Sequence, residues 1–218
     1  MPLRAVCFDL DGLLVDTEPW YYEAHRSILA EHGVTQARDE YVRTWIIEGT
    51  RWAVEAPKHG IATDPAELTA ETNRRFRALI ARDLRPMPGA LRVLAAAAAR
   101  GPTALVTNSR RDAVEEIVDR LGMRAFLHQL VTREAYEHAK PAPDGYLAAA
   151  RLMGMAPADC LALEDSPRGM KAAIAAGMPV ILVLNEMTRI GGRPAGPLRI
   201  LDSLEELDLE EVAAARGG

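Results

Sequence analysis

The sequence predicts an α/β fold, a Rossmann-like parallel sheet core with an inserted all-helical cap. Short, nearly continuous apolar runs alternate with helical patterns through the first few residues and again from residue 88 onward. Each of those helical patterns is followed by glycine, the residue that most readily closes a helix in the left-handed conformation. From Glu18 through Arg82 the pattern is helical throughout and offers no strand candidate. Apolar strands of this kind belong to parallel sheets covered on both faces. The predicted division is a core of residues 1–15 and 88–218 and a cap of residues 16–87.

The first strand is Arg4–Phe8, which ends abruptly in the polar turn Asp9-Leu10-Asp11-Gly12. In the cap, Trp20, Ala24, Ile28 and Leu29 share one helical face, and Leu68, Thr72, Phe76, Leu79 and Ile80 share another. Its expected hinges are Val15–Glu18 and Leu84–Pro88, where Pro86 and Pro88 discourage a continuous helix. Then follow a helix at Ala90–Arg100, a strand at Thr103–Thr107, a helix at Arg111–Leu121 and a strand at Gln129–Thr132. A helix at Gly145–Met153, a strand at Cys160–Leu163, a helix at Gly169–Ala176 and a strand at Pro179–Leu184 continue the rhythm. Gly101, Gly122, Gly154 and Gly177 are the expected left-handed caps. The Gly/Pro-rich segment 185–197 is a loop, Leu198–Leu201 a weaker strand, and Ser203–Ala215 a closing helix with an acidic face.

Of 218 residues, 49% are apolar and 26% charged, a globular composition that excludes disordered and fibrous classes. The formal net charge of −5, with signs interspersed, disfavours nucleic acid and anionic membrane as default partners, because those contacts draw on clustered positive charge, and leaves room for a local basic pocket. Cys7 and Cys160 sit in apolar runs without metal-ligand spacing and are expected to be buried free thiols of a reducing, cytoplasmic compartment. The most apolar stretch, Val93–Thr107, is broken by Arg100, Gly101 and Pro102 and is too short to span a bilayer. A monomer is expected, since a cap must move.

In open α/β sheets ligands bind beyond the carboxyl ends of the strands. There the sequence places Asp9 and Asp11 after the first strand, Thr107, Asn108 and Ser109 after the second, Lys140 after the third, and Glu164 and Asp165 after the fourth. Four carboxylates in one crevice repel each other unless a divalent cation sits among them. Lys140 and the hydroxyl cluster suit an anion, most simply phosphate. Asp9 and Asp11, two positions apart at a strand end, reach the same side, so one can attack phosphorus while the other handles protons. A carboxylate approaching a phosphate dianion meets about 4 kcal/mol per unit-charge pair at roughly 4 Å in an effective dielectric of about 20. Mg²⁺ and the Lys140 ammonium would offset that repulsion.

The segments FDLDGLLVDTE (8–18), LVTNS (105–109), KPAPDGY (140–146) and LEDSPRG (163–169) resemble, in order, the four motifs of the haloacid dehalogenase superfamily. The first motif followed by a helical insertion is similar to the branch of β-phosphoglucomutase and small phosphatases such as phosphoglycolate phosphatase. The resemblance implies a Mg²⁺-dependent phosphatase of a small phosphorylated metabolite. Asp9 would be the nucleophile that becomes an aspartyl-phosphate. Asp11 would protonate the leaving oxygen, activate water and bind metal through its main-chain carbonyl. Thr107 would hydrogen-bond the phosphoryl group with Asn108 close by, Lys140 would stabilise its charge, and Asp165 with Glu164 would complete the metal site. The cap would close over the substrate.

A dehalogenase or phosphonate hydrolase of this superfamily lacks the second Asp, and Lys58, the sole cap Lys, has no distinctive context. A sugar phosphomutase would use the same core residues and needs a basic cap loop, which Glu48-Gly49-Thr50-Arg51 partly resembles, so Arg51 is a candidate substrate-binding residue. His25, just beyond the hinge, is another. A catalytically silent fold that binds phosphometabolites is the third reading. Two local alternatives stay open: Thr107–Ser109 as a cap of the helix beginning near Arg110, and Glu164-Asp165-Ser166 as an acidic helix cap.

Overall fold

A computed structural model describes residues 3–217. Six parallel strands, β1 (Ala5–Phe8), β2 (Thr103–Val106), β3 (Gln129–Val131), β4 (Cys160–Glu164), β5 (Val180–Val183) and β6 (Arg199–Leu201), form one sheet in the order β3-β2-β1-β4-β5-β6. The chain leaves β1 toward β2 and β3 on one side and later fills the other, so the order reverses between β1 and β4 and opens a crevice at their carboxyl ends.

Side-chain alternation along the strands divides the core. Val6, Phe8, Leu105, Leu163 and Ile181 face one layer, with helices α5 (Ala90–Arg100) and α6 (Arg111–Arg120). Ala5, Cys7, Ala104, Ala162 and Val180 face the other, with α7 (Asp144–Met153) and α8 (Pro167–Ala175). Small residues dominate that second face, including Ala148, Ala149, Ala172 and Ala173 of the helices themselves. Both cysteines are buried and free.

Between β1 and α5 lie α1 (Glu18–Glu31), α2 (Arg38–Tyr41), a π-helical segment (Val42–Ile47), α3 (Trp52–Lys58) and α4 (Pro65–Ile80). The stretch expected to be strand-free, Glu18–Arg82, forms no strand, and backbone pairing occurs just outside it where the hinges were expected. Val15 forms an antiparallel bridge with Pro86, Asp16 N–H donates to the Arg85 carbonyl (3.1 Å), and Met87 N–H donates to Leu14 (2.9 Å), so the two connections run side by side. A second tie joins the segment to the core: Arg38 pairs with Glu186 (2.6 Å), and Met187 packs with Tyr41, Val42 and Ile46.

Gly122, Gly154 and Gly177 take the left-handed conformation expected of them, but Gly101 does not. Its φ of 168° is ordinary extended backbone, and its glycine requirement is steric, because a Cβ there would meet the Arg4 carbonyl oxygen at 2.5 Å. The expected closing helix is broken into a short turn at Leu204–Glu206 and α9 (Leu209–Gly217). Arg92 Nη2 donates to the carbonyls of Leu204 (2.8 Å), Glu205 (3.1 Å) and Leu207 (3.1 Å), occupying acceptors that a continuing helix would use. Among the described residues, no helix is long and apolar enough to cross a membrane.

Candidate active site

Strand register sets the height of the site. Phe8 lies level with Leu105 and Leu163, so the residues after β1, β2 and β4 leave the sheet together. Lys140 arrives from the loop between β3 and α7, joined to Pro141 by a cis peptide bond. Its Nζ donates to Asp9 Oδ1 (2.5 Å), Glu164 Oε1 (2.6 Å) and the Val106 carbonyl (2.8 Å), which uses every proton the ammonium has.

The carboxylates of Asp9, Glu164 and Asp165 are all buried, with one oxygen of each within 4.8 Å of the others. Burial, with the charges of Glu164 and Asp11, pushes the Asp9 carboxyl up to about 8 against the opposing pull of Lys140. Burial also drives Asp165 well above the usual carboxylate range, helped by Asp9 and Glu164. Burial would lower Lys140, but Asp9 and Glu164 outweigh it and hold the ammonium above its ordinary value.

These groups fit a hard divalent cation. Three carboxylates against one ammonium leave two negative charges, the charge such an ion cancels, and all the donors are oxygens. Glu164 Oε1 already accepts from Lys140 and from the Tyr146 hydroxyl (2.5 Å), whereas Glu164 Oε2 is buried and has no hydrogen-bond partner. Gly169 makes room for that carboxylate, since a Cβ there would overlap it. Asp165 Oδ2 accepts from Asn185 Nδ2 (2.8 Å), which also donates to the Gly12 carbonyl (3.0 Å). Gly12 is itself required: its φ is +79°, and a Cβ would overlap Asp165.

Asp11 faces a different set. Thr17 Oγ1 donates to its Oδ1 (2.8 Å), and Ser109 Oγ (2.6 Å) and Thr107 Oγ1 (3.3 Å) donate to Oδ2. Its carboxylate therefore lies outside the acidic cluster, and the two aspartates of the first motif have unlike surroundings. Asn108 Oδ1 accepts from the Lys140 main-chain N–H (3.1 Å) and lies 3.0 Å from the Tyr136 hydroxyl, which pins the loop after β2 to the loop carrying Lys140.

The first local capping alternative is corrected here, and the second holds for Ser166 alone. The residue preceding α6 is Arg110, with no side-chain cap; the Arg111 N–H turns to Glu134 instead (3.2 Å). Before α8 the cap is Ser166 Oγ, accepting from Gly169 N–H (3.1 Å), which leaves Glu164 and Asp165 for the cluster.

A cavity of about 210 Å³ joins these residues to the helical segment. Asp9, Asp11, Thr107, Asn108, Lys140 and Asp165 line its floor, and His25 lines its roof. Ser109 opens instead onto a neighbouring cleft, its hydroxyl committed to Asp11. Arg51 is not brought in: it is exposed and precedes α3, while the adjacent Trp52 takes the inward position and donates Nε1–H to Thr72 Oγ1 (2.8 Å). Lys58 pairs with Glu55 (2.7 Å), away from the cavity.

Several residues facing this site were not assigned from the sequence, among them the polar Glu18, Tyr146, Arg168 and Asn185. The first three lie inside the motif segments without an assigned role. Asn185 follows the apolar run of β5, so the rule that found Asp9 at the end of β1 would have found it too. Tightening of Asp165 by Asn185 leads to a specific expectation. Asn185→Ala should raise the Mg²⁺ concentration for half-maximal activity by about 10–100-fold, read from metal titrations of the rate. An unchanged titration would remove Asn185 from this role.

A family model described as haloacid dehalogenase-like hydrolase matches residues 3–177. Fructose-1-phosphate phosphatase YqaB of Escherichia coli is 31% identical over 179 residues, covering 80% of this chain and 93% of that protein. Hexitol phosphatase A of Escherichia coli is 33% identical over 187 residues, 84% of each chain. A solved structure of a point mutant of CbbY from Rhodobacter sphaeroides, in complex with xylulose-(1,5)bisphosphate, superposes with a TM-score of 0.77 at 27% identity, covering 95% of this chain and 96% of that one.

Proposed function

Because the chain belongs to the haloacid dehalogenase-like hydrolases, we propose that it is a Mg²⁺-dependent phosphatase that hydrolyses a small phosphorylated sugar or related metabolite through an aspartyl-phosphate. Its phosphoric monoester hydrolase class follows from the family and from relatives that are named phosphatases. One observation carries the mechanism: the buried Asp9, Glu164 and Asp165 cluster, tied together by Lys140, shares a cavity with a second aspartate held separately by hydroxyls.

Asp9 attacks. A carboxylate oxygen forms a bond to phosphorus while the bond to the leaving oxygen breaks, and Asp11 gives that oxygen its proton. Water then attacks the phosphoryl group, Asp11 takes the proton back, and the bond from phosphorus to Asp9 breaks to release phosphate. Thr17 and Ser109 fix the Asp11 carboxylate during both transfers. Lys140, already on Asp9 Oδ1, stabilises charge on the phosphoryl oxygens, and Thr107 and Asn108 border the space they occupy. Asp9, Asp165, Glu164 Oε2 and the Asp11 carbonyl would hold Mg²⁺. The ion would neutralise the repulsion between nucleophile and phosphate and polarise the phosphoryl group.

The test is release of inorganic phosphate from p-nitrophenyl phosphate and a panel of phosphorylated metabolites. Turnover should stop with EDTA and return with excess Mg²⁺. Turnover indifferent to EDTA overturns the metal dependence, and no turnover of any monoester overturns the reading. The phosphomutase alternative uses the same core residues, and Arg51 of the cap loop it would need stands outside the cavity. The two free thiols support the reducing, cytoplasmic setting.

A further inference from the structure

The Lys140 main chain is held on both sides. Its N–H donates to Asn108 Oδ1 (3.1 Å), and its carbonyl oxygen accepts from Arg168 Nη2 (2.6 Å). Asn108 belongs to the loop after β2, whereas Arg168 stands in the first turn of α8, just past the Ser166 cap. Arg168 is a costly donor to place there. It is half-buried, burial lowers its pKa against the pull of Glu164, and among the described residues no carboxylate forms an ion pair with it.

One hydrogen bond does not fix so long and flexible a side chain. A second constraint comes from the helical segment. The guanidinium lies against Gly49, where a Cβ would overlap its Cζ, Nη1 and Nε. Gly49 is in turn held by the π-helical segment: Glu48 N–H donates to the Arg43 carbonyl (3.0 Å) and Thr50 N–H to the Thr44 carbonyl (3.0 Å). That same segment presents Trp45 and Ile46 to the cavity. Contacts therefore run unbroken from the cavity wall through Gly49 and Arg168 to the main chain of Lys140, whose Nζ sits on Asp9 Oδ1. The guanidinium that meets this loop comes from α8, and the loop's own Arg51 points elsewhere.

Resting on the phosphatase reading above, which gives Lys140 its task, we propose that Arg168 is a positioning residue that transmits the seating of the helical segment to the catalytic lysine. With Gly49 seated, the guanidinium is confined and clamps the Lys140 carbonyl. With Gly49 withdrawn, it is free to turn away, and the lysine loop loses one of its two main-chain ties. The clamp matters most once Asp9 carries the phosphoryl group, because Nζ then follows the phosphoryl oxygens while its main chain must stay in place.

The experiment measures kcat and KM of the parent, Arg168→Met, Gly49→Ala and the double variant, on p-nitrophenyl phosphate and on two phosphorylated metabolites with unlike leaving groups. Arg168→Met should lower kcat by about 10–100-fold on every ester with KM held within about threefold, because the clamp acts on the lysine and not on the leaving group. Gly49→Ala should act in the same direction, since its methyl pushes the guanidinium off the carbonyl. The double variant should be no slower than the slower single one, because both changes break one path. If the parent is active, three results overturn the inference and leave the phosphatase reading standing: an unchanged kcat in either single variant, a loss confined to one ester through KM, or single effects that multiply in the double variant. Loss of rate explained by unfolding at the assay temperature, read from melting curves, overturns it as well. If the parent hydrolyses no monoester, both readings fall.

Discussion

Asp9→Asn should abolish phosphatase activity, with kcat falling by about 10⁴-fold or more, because the amide cannot form the bond to phosphorus that the carboxylate forms. The fold should survive. The Asn side-chain oxygen still accepts from Lys140, and one charge leaves a crowded buried cluster. A second readout follows from the raised Asp9 carboxyl, held at about 8 against an ordinary 3.8. A group whose folded pKa lies above its unfolded value favours the folded state fully below the unfolded pKa. That contribution is lost as pH rises through the folded pKa. Without metal, the parent protein should therefore lose thermal stability as pH rises from about 4 to about 8, and Asp9→Asn should lose less over the same interval. Melting curves in EDTA at pH values within that window check this. Substantial residual phosphate release by the variant would refute the role of Asp9, whatever the melting curves show.

Lys140→Met carries the second large effect, and it strikes stability as well as rate. Removing the ammonium leaves Asp9 and Glu164 buried without their positive partner, a change that typically costs about 3–5 kcal/mol. For a chain of this size the melting temperature in EDTA should fall by on the order of 10 °C. Mg²⁺ should recover part of that loss, since it neutralises the same carboxylates. Loss of the charge on the phosphoryl oxygens should lower kcat by about 10²–10³-fold even in saturating Mg²⁺. Lys140→Arg should not restore the parent. Nζ reaches three acceptors from one atom as a compact point charge 5.1 Å from the Tyr146 ring centre, whereas a guanidinium spreads its donors over a rigid plane. The double change Lys140→Met with Glu164→Gln should be more stable in EDTA than Lys140→Met alone, because it removes one of the two orphaned charges. A single variant that melts like the parent would show that the cluster does not depend on the lysine.

Much of this was legible along the chain. All six strands lie where apolar runs end in polar residues, because a parallel strand buried on both faces needs continuous apolar side chains and exposes polar ones only past its end. That one rule located Asp9, Thr107 and Glu164, and register then set them at one height. It was less informative wherever the partner of a residue lies far along the chain. The helix expected over residues 203–215 is broken by Arg92, about 112 positions away from the first carbonyl it binds. Gly101 is a glycine because the Arg4 backbone passes beside it, and no local pattern encodes that approach.

The helical segment illustrates the same limit more sharply. Periodicity located its buried faces, yet Arg51 was chosen on its charge and stands outside the cavity. Charge in a sequence states what a residue could do and says nothing about which way the chain turns it. Trp52, with more apolar surface to bury, claimed the interior.

The sequence by itself determined the alternation of strand and helix, the family, and the inventory of carboxylates, hydroxyls and one lysine, since these depend on local apolar periodicity and on residue chemistry at strand ends. Only the tertiary structure decided how that inventory is divided. It set Asp9, Glu164 and Asp165 around Lys140, turned Asp11 toward Thr17 and Ser109, and lined the cavity with Tyr21, Tyr41 and Trp45 from the helical segment. The reason is physical: burial and electrostatic pairing act between atoms brought close by packing, and distance in space is what linear order leaves open.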